Sequence, residues 1–392
     1  MSTRAAVGFS TERDPKLAGR RAAHDALDAL GGDADLALVF ATVGYEQRTL
    51  LDSISATLGA NCVLAGCSGE GIIAGGDSHE VDHAVSVMVV RLEGARAEAY
   101  QVRDFAQAPE QAAQALAQSL GELSDVTGVL LFPDGIGGDC TRFLRALEPR
   151  LPGVTIVGGT AGDAMTFERT YQYCGREVHS GAASALVLRG QGQLRVAVSH
   201  GCTPCGPHQT ITQMSGAWLE QIDERPAWDV FKEFLDGNPR DLNAEGIVHI
   251  CIGMAADASA RFVDEHMIIR TPMGLNTETG AMLFPGGGLA SGQRVRIARR
   301  DAEKIRVSGA ACARMLLHDE RRPAFVVQFD CAGRGKVMFG DCAAQEIVEP
   351  LRAEIGLQVP WAGFHTYGEI AQTSSKLNYH NYTVALCAYH DA

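Results

Sequence analysis

The sequence lacks any run that could cross a bilayer as a helix. No stretch approaches the ~18 consecutive apolar residues such a span needs, and strand-like Ala84-Val85-Ser86-Val87-Met88-Val89-Val90 is far too short. The opening Met1-Ser2-Thr3-Arg4-Ala5 lacks the apolar core of an export signal. Positive charge is scarce as well: 34 Lys and Arg against 47 Asp and Glu leave a formal charge of −13. No basic run offsets it, which argues against nucleic acid or an anionic membrane surface as the partner. There is no Gly-x-x-x-x-Gly-Lys-Ser/Thr loop to cradle phosphates, so nucleotide hydrolysis has no support. There is also no Cys-x-x-Cys-His, which excludes covalently attached c-type haem. Cysteine itself is plentiful, at eleven. That odd number, without an export signal, reads as reduced thiols in a cytoplasmic protein.

What is present is an ordinary globular composition, 46% hydrophobic and 21% charged over 392 residues. A chain this long exceeds one usual core, so the expectation is two packed α/β domains with mixed sheets, residues 1–216 and 217–392, with a ligand cleft between them. Arg4 to Ser10 reads as a strand. Asp14-Pro15 then caps and opens a helix that runs to Leu30, with Gly31 closing it. Leu36 to Ala41, Glu46 to Leu58 and Cys62 to Ala65 continue a β-α-β-α-β rhythm. From Thr170 to Met214 the pattern becomes short alternating strands, read as an antiparallel meander. Trp218 to Arg225 looks like the crossing between halves. Ile247 to Ile252 and Phe325 to Phe329 read as strands, Asp301 to Leu317 as a helix. A helix capped by Asp341 is expected to kink at Pro350.

Two loops carry one theme. Gly66-Cys67-Ser68-Gly69-Glu70-Gly71 follows the apolar Cys62-Val63-Leu64-Ala65, and Gly363-Phe364-His365-Thr366-Tyr367-Gly368-Glu369 follows Val359-Pro360-Trp361-Ala362. Glycine allows close backbone approach or φ > 0 and fixes the carboxylate after it. Two such loops near opposite ends of the chain suggest halves that each offer a Gly-Glu loop to a shared binding cleft. Gly-Cys-Ser-Gly-Glu is not a nucleophile elbow, because Glu70 stands where the Gly-x-Ser-x-Gly template needs its second small residue. Gly69-x-Gly71-x-x-Ala74 is followed by Gly75-Gly76-Asp77-Ser78 and not by a helix, so the dinucleotide fingerprint fails too. Cys202-Thr203-Pro204-Cys205 has redox spacing but leads into Gly206-Pro207 and a strand, with no helix dipole to activate a thiol. Arg334, between Gly333 and Gly335, is placed either to grip a carboxylate ligand or to staple the halves through Glu70 or Glu369. The acidic loops can equally receive the amino group of a small ligand.

Five segments in order, Gly66-Cys67-Ser68-Gly69-Glu70, Gly158-Gly159-Thr160-Ala161-Gly162-Asp163, Phe329-Asp330-Cys331-Ala332-Gly333-Arg334-Gly335, Tyr367-Gly368-Glu369-Ile370 and His380-Asn381-Tyr382-Thr383, resemble the FIST family across essentially the whole chain. FIST proteins are bacterial sensory proteins with N-terminal and C-terminal FIST domains that are proposed to bind small ligands. The resemblance implies ligand-binding positions at Cys67, Ser68, Gly69, Glu70, Gly159, Asp163, Cys331, Arg334, Tyr367 and Glu369. It extends to nitric-oxide-sensing haem members that regulate a partner histidine kinase. That implies a b-type haem held by His200, His365 or His380, in that order, because the first two adjoin glycine-rich strand ends. The alternatives are a haem-free sensor of amino acids or other small metabolites, or an uncharacterised enzyme. No kinase, cyclase or receiver segment is evident, so the signal is expected to pass to a separate protein; homodimerisation is left open.

Overall fold

A computed structural model of the chain describes residues 2–235, 250–255, 266–318, 321–373 and 376–392. Local signals work as expected at the start. Asp14 accepts the Leu17 N–H, Pro15 opens the helix Pro15–Leu30, and Gly31 closes it in the left-handed region at φ 79°. The buried face of this helix is small (Ala18, Gly19, Ala22, Ala23, Ala26), so it lies close on the strand Arg4–Ser10. A Cβ on Gly8 would sit 1.9 Å from the Ala22 carbonyl oxygen.

The fold is mixed α/β, and three of its sheets repeat one plan. In the first, the order is Arg4–Ser10, Val85–Arg91, Leu36–Ala41, Val63–Ser68. The last two are parallel, and Val85–Arg91 runs antiparallel between its neighbours. In the second sheet Ala95–Val102, Ala183–Gly190, Val126–Pro133 and Ile156–Thr160 hold the same places with the same directions. In the third, Gln193–Ser199, Val384–His390, Phe325–Cys331 and Trp361–Thr366 do so again. Each sheet has a helix pair on its outer face: Pro15–Leu30 with Gln47–Leu58, Pro109–Leu120 with Cys140–Leu147, and Ala302–Arg314 with Glu349–Ile355.

Hairpins lock the three units in a ring. Ile72–Ala74 with Asp77–His79, from the first unit, extends the third sheet beside Trp361–Thr366. Gln172–Cys174 with Glu177–His179, from the second, extends the first sheet beside Val63–Ser68. Gly368–Thr373 with Lys376–His380, from the third, extends the second sheet beside Ile156–Thr160. The inner faces share one core. Phe40, Phe132 and Phe329 occupy the equivalent position of each unit, one residue past the pairs Val39↔Gly66, Leu131↔Gly158 and Gln328↔Gly363. The Phe132 ring lies 5.8 Å from Phe40 and 6.3 Å from Phe329, while Phe364 stacks on Phe40 at 4.9 Å. Gly66, Gly158 and Gly363 are also equivalent. A Cβ on each would lie within 2.0 Å of the carbonyl oxygen of Val39, Leu131 or Gln328, so close strand approach requires glycine at all three.

The third unit is split. Between Ser199 and Ala302 the chain forms an antiparallel module from Cys202 to Arg300 with its own core of Ile211, Leu219, Phe231, Phe284 and Ile297. Buried Arg270 ties this module to two units. It donates to the carbonyls of Ile269, Gly287 and Tyr379, reaches Thr141 Oγ1 at 3.4 Å, and lies over the Tyr379 ring.

Several expectations change form. The segment from Thr170 to Met214 is no single meander: its strands go to four sheets, because short hairpin signals fix local direction but not which neighbour a strand joins. Residue 216 falls in the turn between Gln209–Ser215 and Trp218–Ile222, inside the module, and Trp218–Ile222 is one of its strands. The expected strand Ile247 to Ile252 is seen as Ile250–Met254, with 247–249 outside the described residues. At Pro350 the chain breaks into Ala343–Ile347 and Glu349–Ile355, with the proline in the first turn of the second helix, where its missing N–H costs nothing.

Candidate functional site

The carboxyl ends of the three parallel strand pairs meet on the axis of the ring, and the loops after Gly66, Gly158 and Gly363 close it. Counting from each glycine, the fourth following residue donates its N–H to the carbonyl of the second following residue in the next unit. Glu70 donates to His365 at 2.9 Å, Gly162 to Ser68 at 3.0 Å, and Tyr367 to Thr160 at 3.3 Å. Glu70, Gly162 and Tyr367 are thereby brought to one point. Ligands of α/β sheets gather outside the carboxyl ends of parallel strands, and this is where three such ends converge.

The side chains at that point form one network. The Tyr367 hydroxyl donates to Asp163 Oδ1 at 2.5 Å and lies 3.2 Å from Glu70 Oε2. Its single proton cannot serve both, and the shorter contact is to Asp163. The Met165 N–H donates to Glu70 Oε2 at 2.7 Å and to the Tyr367 oxygen at 2.9 Å. Asp163 also accepts from Thr166 Oγ1 and from the N–H groups of Phe167, Glu168 and Arg169. These bonds hold a loop in which Ala164, Met165 and Phe167 all take positive φ, at 59°, 55° and 52°, a conformation that costs a non-glycine residue free energy. Exposed Phe167 stacks on Tyr367 at 4.9 Å.

The two carboxylates differ. Burial pushes Glu70 up from 4.5 to about 7, with the negative charges of Glu80 and Asp163 adding to it, against the bonds from Met165 and Tyr367. Burial pushes Asp163 the same way. There, bonds from the Tyr367 hydroxyl, the Arg169 N–H, Thr166 and the Glu168 N–H win and hold it below the usual range. The point is an acidic cluster, with one carboxylate held below the usual range, one poised to lose its proton near neutrality, and two aromatic rings beside them.

The other expected residues lie around or beneath this point. Cys67 is in the shared core. Ser68 is fully buried, donating to the Gly162 carbonyl and accepting from Tyr171 N–H, a structural role. Gly69 and Gly159 make room for Phe364 and Thr366. Glu369 is wholly buried against Thr366 Oγ1 and the Thr383 N–H, with its carboxyl pushed well up by burial. Tyr367 is thus the residue that meets Glu70, because the two loops align as Glu70 with Tyr367, three residues before Ile73 and Ile370, the strand partners of Gly363 and Gly158. Arg334 is fully buried, 2.9 Å from Asp330 Oδ1, and donates to the Ser199 carbonyl. Cys331 packs with Cys202, Cys251 and Tyr382 under the inserted module. Sequence reading did not single out Met165, Phe167, Ser78 or Glu80. It also did not see the repeat, although Phe40 to Phe132 and Gly66 to Gly158 are each 92 residues apart.

Comparison with known proteins agrees with the five-segment resemblance. The FIST N domain matches residues 35–225 and the FIST C domain residues 227–372. The chain belongs to the FIST family. Membership implies a small-ligand-sensing role. An uncharacterized protein of Mycobacterium tuberculosis strain H37Rv is 28% identical over 414 residues, covering 99% of this chain and 100% of that protein. An uncharacterized protein of Mycobacterium bovis is 27% identical over 411 residues, covering 99% of each. Among solved structures, a cyanuric acid hydrolase from A. caulinodans matches at 12% identity and a TM-score of 0.28, over 48% of this chain and 71% of that one. A likeness that weak carries no argument. The two FIST domains meet inside the inserted module, so the third repeat is shared between them.

A b-type haem needs an axial nitrogen facing a cavity that admits a flat macrocycle. His200, His365 and His380 are 5%, 0% and 1% exposed. Nδ1 of His200 accepts the Cys202 N–H, Nε2 of His365 lies 2.7 Å from Ser78 Oγ, and Nε2 of His380 faces Thr373 Oγ1 and the Ala371 carbonyl. Packed this way, the three histidines do not fit a haem.

Proposed function

We propose that this FIST protein senses a small metabolite bearing an amino group, such as an amino acid, at the cluster of Glu70, Asp163 and Tyr367. The observation that carries the reading is the convergence of three repeats there, which sets two carboxylates of different acidity around one phenol. An ammonium group would pair with Glu70 and draw off its proton, with the Asp163 charge close behind, and lie against the Tyr367 and Phe167 rings. Seating it displaces the Met165 N–H from Glu70, which relaxes the strained 163–167 loop and gives ligand binding a conformational output. The signal then passes to a separate protein, a histidine kinase in the version that the FIST resemblance suggests.

Calorimetry with a panel of amino acids, simple amines and amine-free carboxylates tests this. Amines should bind, and Glu70→Gln and Tyr367→Phe should each weaken binding about tenfold or more, the loss of one charge-assisted hydrogen bond. No amine binding, or equal binding by both variants, ends the amine reading. A Soret band in protein expressed with haem supplied would instead favour the haem-dependent, nitric-oxide-sensing version.

A further inference from the structure

The third sheet carries three polar residues near one another, one on each of three strands. Asp330 and His365 are register partners on the parallel strands Phe325–Cys331 and Trp361–Thr366. Ser78 lies on Asp77–His79, two strands beyond His365. The imidazole reaches it because Gly71 stands between. A Cβ there would lie 3.0 Å from His365 Cδ2 and 2.3 Å from Glu80 Cγ. Gly335 clears the other side, where a Cβ would lie 2.9 Å from His365 Cε1. Ser78 Oγ is 2.7 Å from His365 Nε2. If Nε2 accepts the serine proton, the ring carries its own proton on Nδ1, which is buried and has no hydrogen-bond partner among the described residues. On the neighbouring strand Asp330 Oδ1 also lacks a hydrogen bond among them, although Arg334 Nε is 2.9 Å away.

The repeat supplies an internal control. The positions equivalent to Ser78, His365 and Asp330 hold Val178, Ser68 and Ala41 at one unit boundary and Tyr379, Thr160 and Pro133 at the other. The fold therefore builds this boundary twice without a serine-imidazole pair. Asp330 is held by Arg334 and by Gln328 Nε2, which donates to Oδ2 at 2.8 Å, but burying an imidazole with an unmet nitrogen lowers stability, so packing alone does not account for the serine-imidazole pair. Ser78 is half-buried while His365 is wholly buried. That sets the hydroxyl of a half-buried serine on a fixed base, the pairing a nucleophilic serine needs.

We propose that Ser78 is an activated nucleophile with His365 as its general base, giving this chain an acyl-transfer activity toward small uncharged esters or thioesters, independent of the amine site. Ser78 Oγ attacks the acyl carbon as its proton passes to His365 Nε2. The bond to the leaving alcohol or thiol breaks, and that group takes the proton from His365. Water then cleaves the serine ester by the same route, releasing the acid and restoring the hydroxyl. Glu80, whose Oε1 lies 3.7 Å from His365 Nε2, disfavours phosphorylated or anionic acyl donors.

A fluorophosphonate probe tests the pair in the full chain, because the serine oxygen displaces fluoride from phosphorus while the base takes the proton. The expected result is one adduct, on the peptide that contains Ser78, absent in Ser78→Ala and in urea-denatured protein. His365→Gln should slow labelling about 100-fold or more, the usual contribution of a general base. Since His365→Gln replaces a buried ring and can disturb folding, Ser78→Cys gives a second readout. Its new thiol should alkylate with iodoacetamide at least about tenfold faster than exposed Cys205, since an adjacent imidazole activates a thiol. No adduct on Ser78, labelling of His365→Gln at the wild-type rate, or a thiol in Ser78→Cys that reacts no faster than Cys205 would each overturn the proposal.

Discussion

Replacing Glu70 with glutamine separates the ionisation of this site from its hydrogen bonding. Glutamine keeps an oxygen to accept from the Met165 N–H, cannot ionise, and carries an NH2 in place of the second oxygen. In the folded protein Glu70 titrates at about 7 against an ordinary 4.5, chiefly because burial disfavours the carboxylate. Folding therefore strengthens its hold on the proton. Below about pH 4 both folded and unfolded chains keep that proton, and the group costs nothing. As pH rises toward 7 the unfolded chain ionises first, and the folded state loses stability. Above 7 the full cost stands, about 3 kcal/mol at ~1.36 kcal/mol per pH unit. Glu70→Gln should match wild type near pH 4.5 and exceed it by about 2–3 kcal/mol at pH 8. With an unfolding entropy of about 0.8 kcal/mol/K for a chain of this length, calorimetric melting should show a gain of roughly 2–4 °C at pH 8 and almost none at pH 4.5. Other titrating groups are common to both proteins and cancel in the comparison. A gain that is the same at both pH values, or a loss that grows with pH, would refute the assignment of a desolvated carboxyl at the axis.

Phe132 lies where the three sheets meet, so Phe132→Ala should cost about 3–5 kcal/mol, whereas Leu17→Ala, on a residue 52% exposed, should stay within about 0.5 kcal/mol; equal effects in urea titrations would contradict the shared core. Arg270→Met leaves the carbonyls of Gly287 and Tyr379 buried without a donor, at about 1–3 kcal/mol each. Limited proteolysis should then cut the Cys202–Arg300 module before the rest of the chain, and an unchanged digestion pattern would argue against the clamp. Of the eleven cysteines, Cys205 and Cys342 are exposed and should react promptly with a thiol reagent in native protein. All eleven should react after denaturation without reductant, and a shortfall would reveal disulfides.

The sequence by itself determined the elements whose causes are local. Asp14, Pro15 and Gly31 set both ends of the first helix, because capping and fixed φ act within a few residues. The apolar run Leu36-Ala-Leu-Val-Phe-Ala41 is buried at every position, as a strand covered on both faces must be. The glycine-rich loops that hold Glu70, Asp163 and Tyr367 were also legible as loops, since glycine at a strand end has a local backbone reason. Tertiary structure alone decided which loops meet and in what alignment. Glu369 looked equivalent to Glu70, yet strand alternation turns it inward against Thr366, and Tyr367 takes the place beside Glu70. The threefold plan was hidden for a similar reason. The inserted module separates Gln193–Ser199 from the rest of its unit, and each hairpin pairs with a different unit from its own. Pairing between strands far apart in sequence is set by packing of their faces and not by neighbouring residues. The Ser78–His365 contact spans 287 residues, a proximity that only the closed ring of three units creates.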